Sequence, residues 1–185
     1  MKKNKNGFTL VEVVVSMSLL VLVFGGLIGV LILGQEAKIN LKNNLIAGNL
    51  AQEGIDLVRF IRDQNYDNDD NDLHEDSEVF ATISGGVDTP YSFTIMSEFN
   101  GDITVTPFSG GSVKNSEDLK ISNHRYMYTT TDLAAIPTPF RRVITTTYNA
   151  GATPPHLAVK SEVYWQSDNK QNTVTVYDEL TNWRP

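Results

Sequence analysis

The run FTLVEVVVSMSLLVLVFGGLIGVLIL, from Phe8 to Leu33, limits the folding of this chain more than any other segment. It is about 26 residues of almost unbroken apolar character, carrying one acid, Glu12, and no base. As an α-helix at about 1.5 Å per residue it reaches about 39 Å, enough to cross a hydrocarbon core of about 30 Å with some tilt. A helix that is apolar on every side needs lipid or other helices around it. The apolar core of a secretory signal peptide is shorter, about 7–15 residues, and no small-x-small site follows the run, so removal behind the helix is not expected. Lys2, Lys3 and Lys5 stand directly in front of it and form the only dense basic patch. Positive charge stays cytoplasmic, which puts the N-terminus inside and everything after Leu33 outside.

The 185 residues suffice for one domain plus an appendage. A formal charge of −7 and a pI near 4.9 argue against a nucleic-acid groove or a polybasic lipid-binding surface. There is no cysteine, hence no disulfide framework and no thiolate metal site. Enzymatic signatures are also missing. His74, His124 and His156 lie in polar or turn contexts without metal-ligand spacing. No G-x-S-x-G, P-loop or dinucleotide fingerprint occurs, so the chain is read as a non-enzyme without a cofactor. In an alternating strand Arg141 and Arg142 face opposite sides, so one is exposed and the other must be paired. Trp165 and Trp183 read as core or sheet-edge packing.

An ionised carboxylate inside a bilayer costs several kcal/mol unless it is paired. Glu12 therefore needs a reason. Lys5-Asn6-Gly7-Phe8-Thr9-Leu10-Val11-Glu12 resembles the cleavage motif of type IV prepilins and type II secretion pseudopilins. The resemblance implies that a prepilin peptidase cuts between Gly7 and Phe8 on the cytoplasmic side and that Phe8 is then N-methylated. Glu12 becomes the fifth mature residue. Cleavage creates an amine on Phe8, and in the family the Glu of one subunit is thought to meet the amine of its neighbour as helices stack into a filament. Glu12 then acts as a register device, as one buried polar residue does in a coiled coil. The implied partners are the peptidase, other pilins or pseudopilins and an assembly platform in the inner (cytoplasmic) membrane. No nucleic acid is expected, since loss of three lysines takes the formal charge from −7 to −10. The implied location is a single membrane pass followed by an extracellular or periplasmic filament.

Gly25, Gly26 and Gly29 interrupt the same run, and Gly25 with Gly29 forms a small-xxx-small pair that permits close helix approach. Each costs about 1 kcal/mol relative to alanine. They either weaken the helix where many pilins carry a proline or are simply tolerated by lipid-facing packing. Beyond Gln35 the helix continues in another character. Ala47, Leu50, Ala51, Gly54, Val58 and Ile61 recur at helical spacing and form one apolar face, small enough to let a sheet sit close. The expected helix runs from about Thr9 to Asp63. NLAQEGIDLVRFIRDQNYD resembles the helix end of PilV-like minor pilins. The chain accordingly divides into a leader (1–7), a transmembrane or filament-core half-helix (8–34), a head-packed half-helix (35–66) and a β-rich head (67–185).

Strands are expected at Val79–Ile83, Tyr91–Ser97, Ile103–Thr106, Arg125–Thr131, Arg141–Tyr148, Leu157–Trp165 and Thr173–Tyr177, where β-branched residues alternate between Gly, Pro and Asn turns. One long helix followed by short strands predicts an α+β, pilin-like fold with a mainly antiparallel sheet. The last three segments form a meander that also resembles PilV-like proteins. The functional expectation is a minor pilin or pseudopilin subunit, in or at the tip of a pilus or secretion pseudopilus. The alternative is a tip-displayed adhesin or ligand-binding head that uses residues 67–138.

Asp67, Asp69, Asn71 and Glu78 take the first, third, fifth and twelfth places of an EF-hand-like calcium loop. Asp72 occupies the sixth place, where that loop needs glycine, so a solvated acidic loop is the preferred reading. A calcium ion held there would stabilise the fold by RT ln(1 + [L]/Kd), about 2.7 kcal/mol at a hundredfold excess over Kd. Thermal melting in millimolar calcium is expected to match that in magnesium; a calcium-specific rise abolished by Asp67→Asn with Asp69→Asn would establish the site.

Overall fold

The computed structural model describes Gly7, residues 9–68, Phe80 and residues 83–97, 103–107, 119–122, 125–127, 135–167 and 170–181. Helix α1 (Leu10–Asn68) is followed by β1 (Tyr91–Ser97), β2 (Ile103–Pro107), β3 (Lys120–Ser122), β4 (Arg125–Met127), β5 (Ile136–Pro137), β6 (Arg141–Asn149), β7 (His156–Ser167) and β8 (Lys170–Thr181). The chain divides into two compact units, Met1–Asn43 and Asn44–Pro185.

In the first unit every large apolar side chain from Leu10 to Leu33 is exposed. The helix is long and apolar enough to cross a membrane. It holds together because all its backbone bonds are internal, which in hydrocarbon only a helix or a closed barrel achieves. Its two serines do the same with their side chains: Ser16 Oγ donates to the Glu12 carbonyl at 2.7 Å and Ser18 Oγ to the Val14 carbonyl at 2.8 Å.

The second unit is an antiparallel sheet with the C-terminal part of α1 laid on one face. Five strands run in the order β2-β1-β6-β7-β8, and β4-β3-β5 make a smaller sheet. The meander β6-β7-β8 is the longest ladder, with Ile144 opposite Ser161 and Ser161 opposite Val176. β7 shows why it folds this way. Its sequence alternates, and Leu157, Val159, Ser161, Val163 and Trp165 are buried while the residues between them are partly exposed. One cluster joins Ile55, Val58 and Ile61 of α1 to Phe93, Ile144 and Leu157. Another joins Ala47, Leu50 and Ala51 to Leu119, Phe140 and Trp165.

The small residues of α1 set the distance. A Cβ built on Gly54 would lie 2.6 Å from Ser161 Oγ, 3.1 Å from Arg142 Cδ and 3.3 Å from Ile144 Cδ1. A side chain there would have to displace the Ser161 hydroxyl. Polar contacts fasten the helix along β8: Arg59 Nε and Nη2 both donate to Asp178 Oδ2, at 3.1 and 2.9 Å, and Arg59 Nη1 donates to Asp56 Oδ1 at 3.0 Å. Arg62 Nη1 reaches the Thr181 carbonyl at 3.4 Å.

Three expectations change. The helix continues past Asp63 to Asn68, which makes Asp67 helical rather than the opening of a loop. Phe80 is in a turn and Ile83 in a 3₁₀ segment rather than a strand, although both are fully buried. The Thr146 hydroxyl donates to the Ile83 carbonyl, so the core claims this segment through a side chain instead of a sheet ladder. Strands β3 and β5, three and two residues long, were not anticipated, because such lengths carry no readable alternation. Of the expected strand Arg125–Thr131, residues 125–127 form β4 and 128–131 lie outside the described residues.

Gly54→Ala is expected to lower stability by about 1–3 kcal/mol through overpacking, against a propensity gain of about 1 kcal/mol. Ser161 Oγ is buried with no hydrogen-bond partner among the described residues. Ser161→Ala should therefore be neutral or stabilising and should remove most of the Gly54→Ala penalty; a denaturant-melting double-mutant cycle measures the coupling.

Candidate functional site

The candidate site is the beginning of α1. Thr9 precedes the helix, and its Oγ1 accepts a hydrogen bond from the Glu12 amide at 3.3 Å. The Thr9 carbonyl accepts from the Val13 amide at 3.2 Å, which is the first helical bond. Thr9 is thus the N-cap and Glu12 the third helical position, the spacing of a capping box. The capping role of Thr9 is a function that the spacing to Glu12 encodes but that reading the motif as a cleavage signal passes over. Glu12 also lies where the helix dipole favours an acid.

Glu12 is exposed, and no Lys, Arg or His occurs in the chain from Asn6 to Ala37. The first helical turn therefore offers a carboxylate with local backbone support and no cation in sequence reach. Gly7 and Glu12 are placed at the two sides of the cap; Phe8 lies outside the described residues. Gly25, Gly26 and Gly29 form open notches in the helix, with nothing within 4 Å of a Cβ built on any of them. Such notches allow another helix to approach closely.

The acidic segment lies almost wholly outside the described residues. Asp69, Asn71 and Glu78 lie outside the described residues, as does the side chain of Asp67. His74, His124 and Trp183 are outside as well. Trp165 is in the core.

In the head the chemically notable side chains are engaged with neighbouring groups. His156 Nδ1 donates to the Pro154 carbonyl at 3.3 Å, and Nε2 accepts from the Asn149 amide at 3.0 Å. Arg142 is buried, donating through Nη1 to the Leu50 carbonyl at 3.0 Å, whereas Arg141 is on the opposite face of β6 and partly exposed. The pair divides as strand alternation requires. On the same outer face the Tyr164 hydroxyl is pushed up to about 12, first by burial and then by Glu162, to which it is hydrogen-bonded. It is a neutral donor at ordinary pH, not a nucleophile. Glu162 is also 2.8 Å from Lys160 Nζ.

No curated protein and no solved structure shows significant similarity to the chain. Residues 2–33 match the family model described as the prokaryotic N-terminal methylation motif. That span contains Gly7, Phe8, the Thr9 cap, Glu12 and the glycine notches. With the long apolar helix and the antiparallel head, the chain carries the methylation motif typical of type IV prepilins and pseudopilins on an α+β, pilin-like architecture.

Proposed function

We propose that the chain is a minor pilin or pseudopilin subunit. Prepilin peptidase cuts between Gly7 and Phe8, Phe8 is N-methylated, and the subunit waits in the cytoplasmic (inner) membrane with its N-terminus inside. An assembly platform then adds it to other pilins, in or at the tip of a pilus or secretion pseudopilus outside that membrane. The observation that carries this reading is the coincidence of two facts: the matched motif opens a helix whose large apolar side chains, Leu10 to Leu33, are all exposed. Lipid covers that surface before assembly and neighbouring helices cover it afterwards. The assignment to PilV-like minor pilins rests on NLAQEGIDLVRFIRDQNYD and the C-terminal meander. The role is structural, without catalysis or cofactor.

The reading of the head as a tip-displayed adhesin has less support. Among the described residues of 67–138 the exposed large apolar side chains are Val87 and Ile136, and scattered single residues do not make a binding patch. Phe93 is buried and Tyr91 and Tyr126 are partly buried against the two cores.

Mass spectrometry of protein from peptidase-competent cells is expected to find an N-terminal methylated Phe8; a surviving Met1–Gly7 leader would sink the proposal. The cap uses only the backbone amide of Glu12, so substitutions of its side chain test the charge. Glu12→Gln removes the charge at constant size and Glu12→Val removes the polar side chain altogether. Both are expected to insert and be cleaved, yet to enter filaments far less efficiently than wild type. Wild-type incorporation of Glu12→Gln would overturn the role of the carboxylate in assembly.

A further inference from the structure

The five-stranded sheet ends in two edges that differ in length and sequence. β2, at one end, has five residues and finishes on Pro107. Shortness and proline are common means of keeping an edge from pairing with another chain. β8, at the other end, has twelve residues without proline or glycine, and among the described residues its only strand partner is β7. Every other residue of such a strand turns its N–H and C=O away from that partner. Its middle, Gln171–Tyr177, is an uncharged run, QNTVTVY, rich in β-branched residues. A run of that length and composition on an exposed edge readily takes up a further strand. Tyr177, at 73%, is the most exposed large hydrophobic side chain among the described residues of the head.

The charges around the run indicate which strand it takes. Lys170 precedes it, and Asp178 and Glu179 follow it. A second β8 laid parallel and in register would set lysine against lysine and acid against acid, which is unfavourable across a strand pair. Laid antiparallel and centred on Val174, it sets Lys170 of each copy opposite Asp178 of the other. Arg59 already holds that acid at 2.9 Å, so its position at the edge is fixed. The same centring pairs Gln171 with Tyr177, Asn172 with Val176 and Thr173 with Thr175, so the two uncharged runs match from end to end. A centre one residue to either side places Lys170 opposite Val176 or Leu180 instead. We propose that the free edge of β8 is a self-recognition site, joining the heads of two copies by antiparallel β8–β8 pairing about a two-fold axis at Val174. Because the strands run in opposite directions, so do the two head-packed segments of α1. Where α1 crosses a membrane, the pair thus suits heads presented from facing surfaces rather than copies side by side in one bilayer. The site does not rest on the pilin reading, and the processing and Glu12 experiments can fail while it stands.

The chain lacks cysteine, so one introduced thiol reports its own pairing. Val174→Cys lies on the proposed axis and faces its own copy, at the close spacing of opposed side chains that mild oxidation can join. Full-length protein in detergent is oxidised mildly, and the cross-linked fraction is read by gel mobility. Val174→Cys is expected to cross-link several-fold more than Val105→Cys, which lies on the other edge and packs toward the same core face. Association through the apolar part of α1 gives no such preference. Thr173 and Thr175 stand opposite Tyr164 and Glu162, on the sheet face away from α1. Thr173→Lys with Thr175→Lys sets lysines against each other only in the pair. Added to Val174→Cys, these two changes are expected to cut the cross-link several-fold while the melting temperature stays near that of the parent. Equal cross-linking of Val174→Cys and Val105→Cys would overturn the proposal, as would a Val174→Cys cross-link that the two lysines leave untouched. Joining of Val174→Cys to Val105→Cys in a mixture, in place of either to itself, would also overturn it, by assigning the edge to β2 of another copy.

Discussion

A polypeptide in hydrocarbon has no water to satisfy its backbone, and the long apolar part of α1 is of a form that meets that constraint. From Leu10 onward α1 keeps every peptide bond internal, and Ser16 and Ser18 turn their hydroxyls back onto its carbonyls. After that accounting one group is left over. The Glu12 carboxylate has its own amide capped by Thr9, but no cation in the run to neutralise it. What a helix cannot satisfy within itself becomes the natural place for a partner to act. Under the proposed processing, the amine created on Phe8 has the right charge.

The same helix meets a different environment in its C-terminal part, and its residues change accordingly. Apolar side chains retreat to one face, and that face is small where the sheet comes closest, at Ala47, Ala51 and Gly54. The head's stability comes mainly from burying Phe80, Phe93, Ile144 and their neighbours. Its visible salt bridges contribute less. The Arg59–Asp178 pair is partly exposed on both sides, and pairs of that kind are worth about 0–1 kcal/mol. Its geometry matters more than its energy, because it ties the helix to the last strand of the meander.

Chemistry and architecture are therefore separated along the chain. The start of the chain holds the matched motif, and the head holds arginines, tyrosines and a histidine engaged in structural contacts. An antiparallel sheet on a helix hosts many functions, so the fold alone argues for none of them. The functional reading depends on the motif and on the exposed apolar helix that it opens.

Much of this was legible in the linear sequence because it is local. The membrane-length run, the offset from Gly7 to Glu12, the small apolar face of α1 and the alternation in β6, β7 and β8 all repeat over short distances with fixed periods. Alternation alone implied that Arg141 and Arg142 part company. What tertiary structure decided is where periods are too short or partners too distant. Strands β3 and β5 are flanked by Leu119 and Phe140, which pack against Ala47, Leu50 and Ala51 of α1, with the Leu119 amide bonded to the Phe140 carbonyl at 2.8 Å. Phe80 and Ile83 are held by burial and by the Thr146 hydroxyl, which no local pattern announces. Arg142 finds an acceptor 92 residues away on the Leu50 carbonyl, and the tight space at Gly54 is made by Ser161, Arg142 and Ile144. Local periodicity determined which elements form; the close fit of small residues and the burial of Leu50, Ile55, Val58 and Ile61 across the helix–sheet contact decided how they pack.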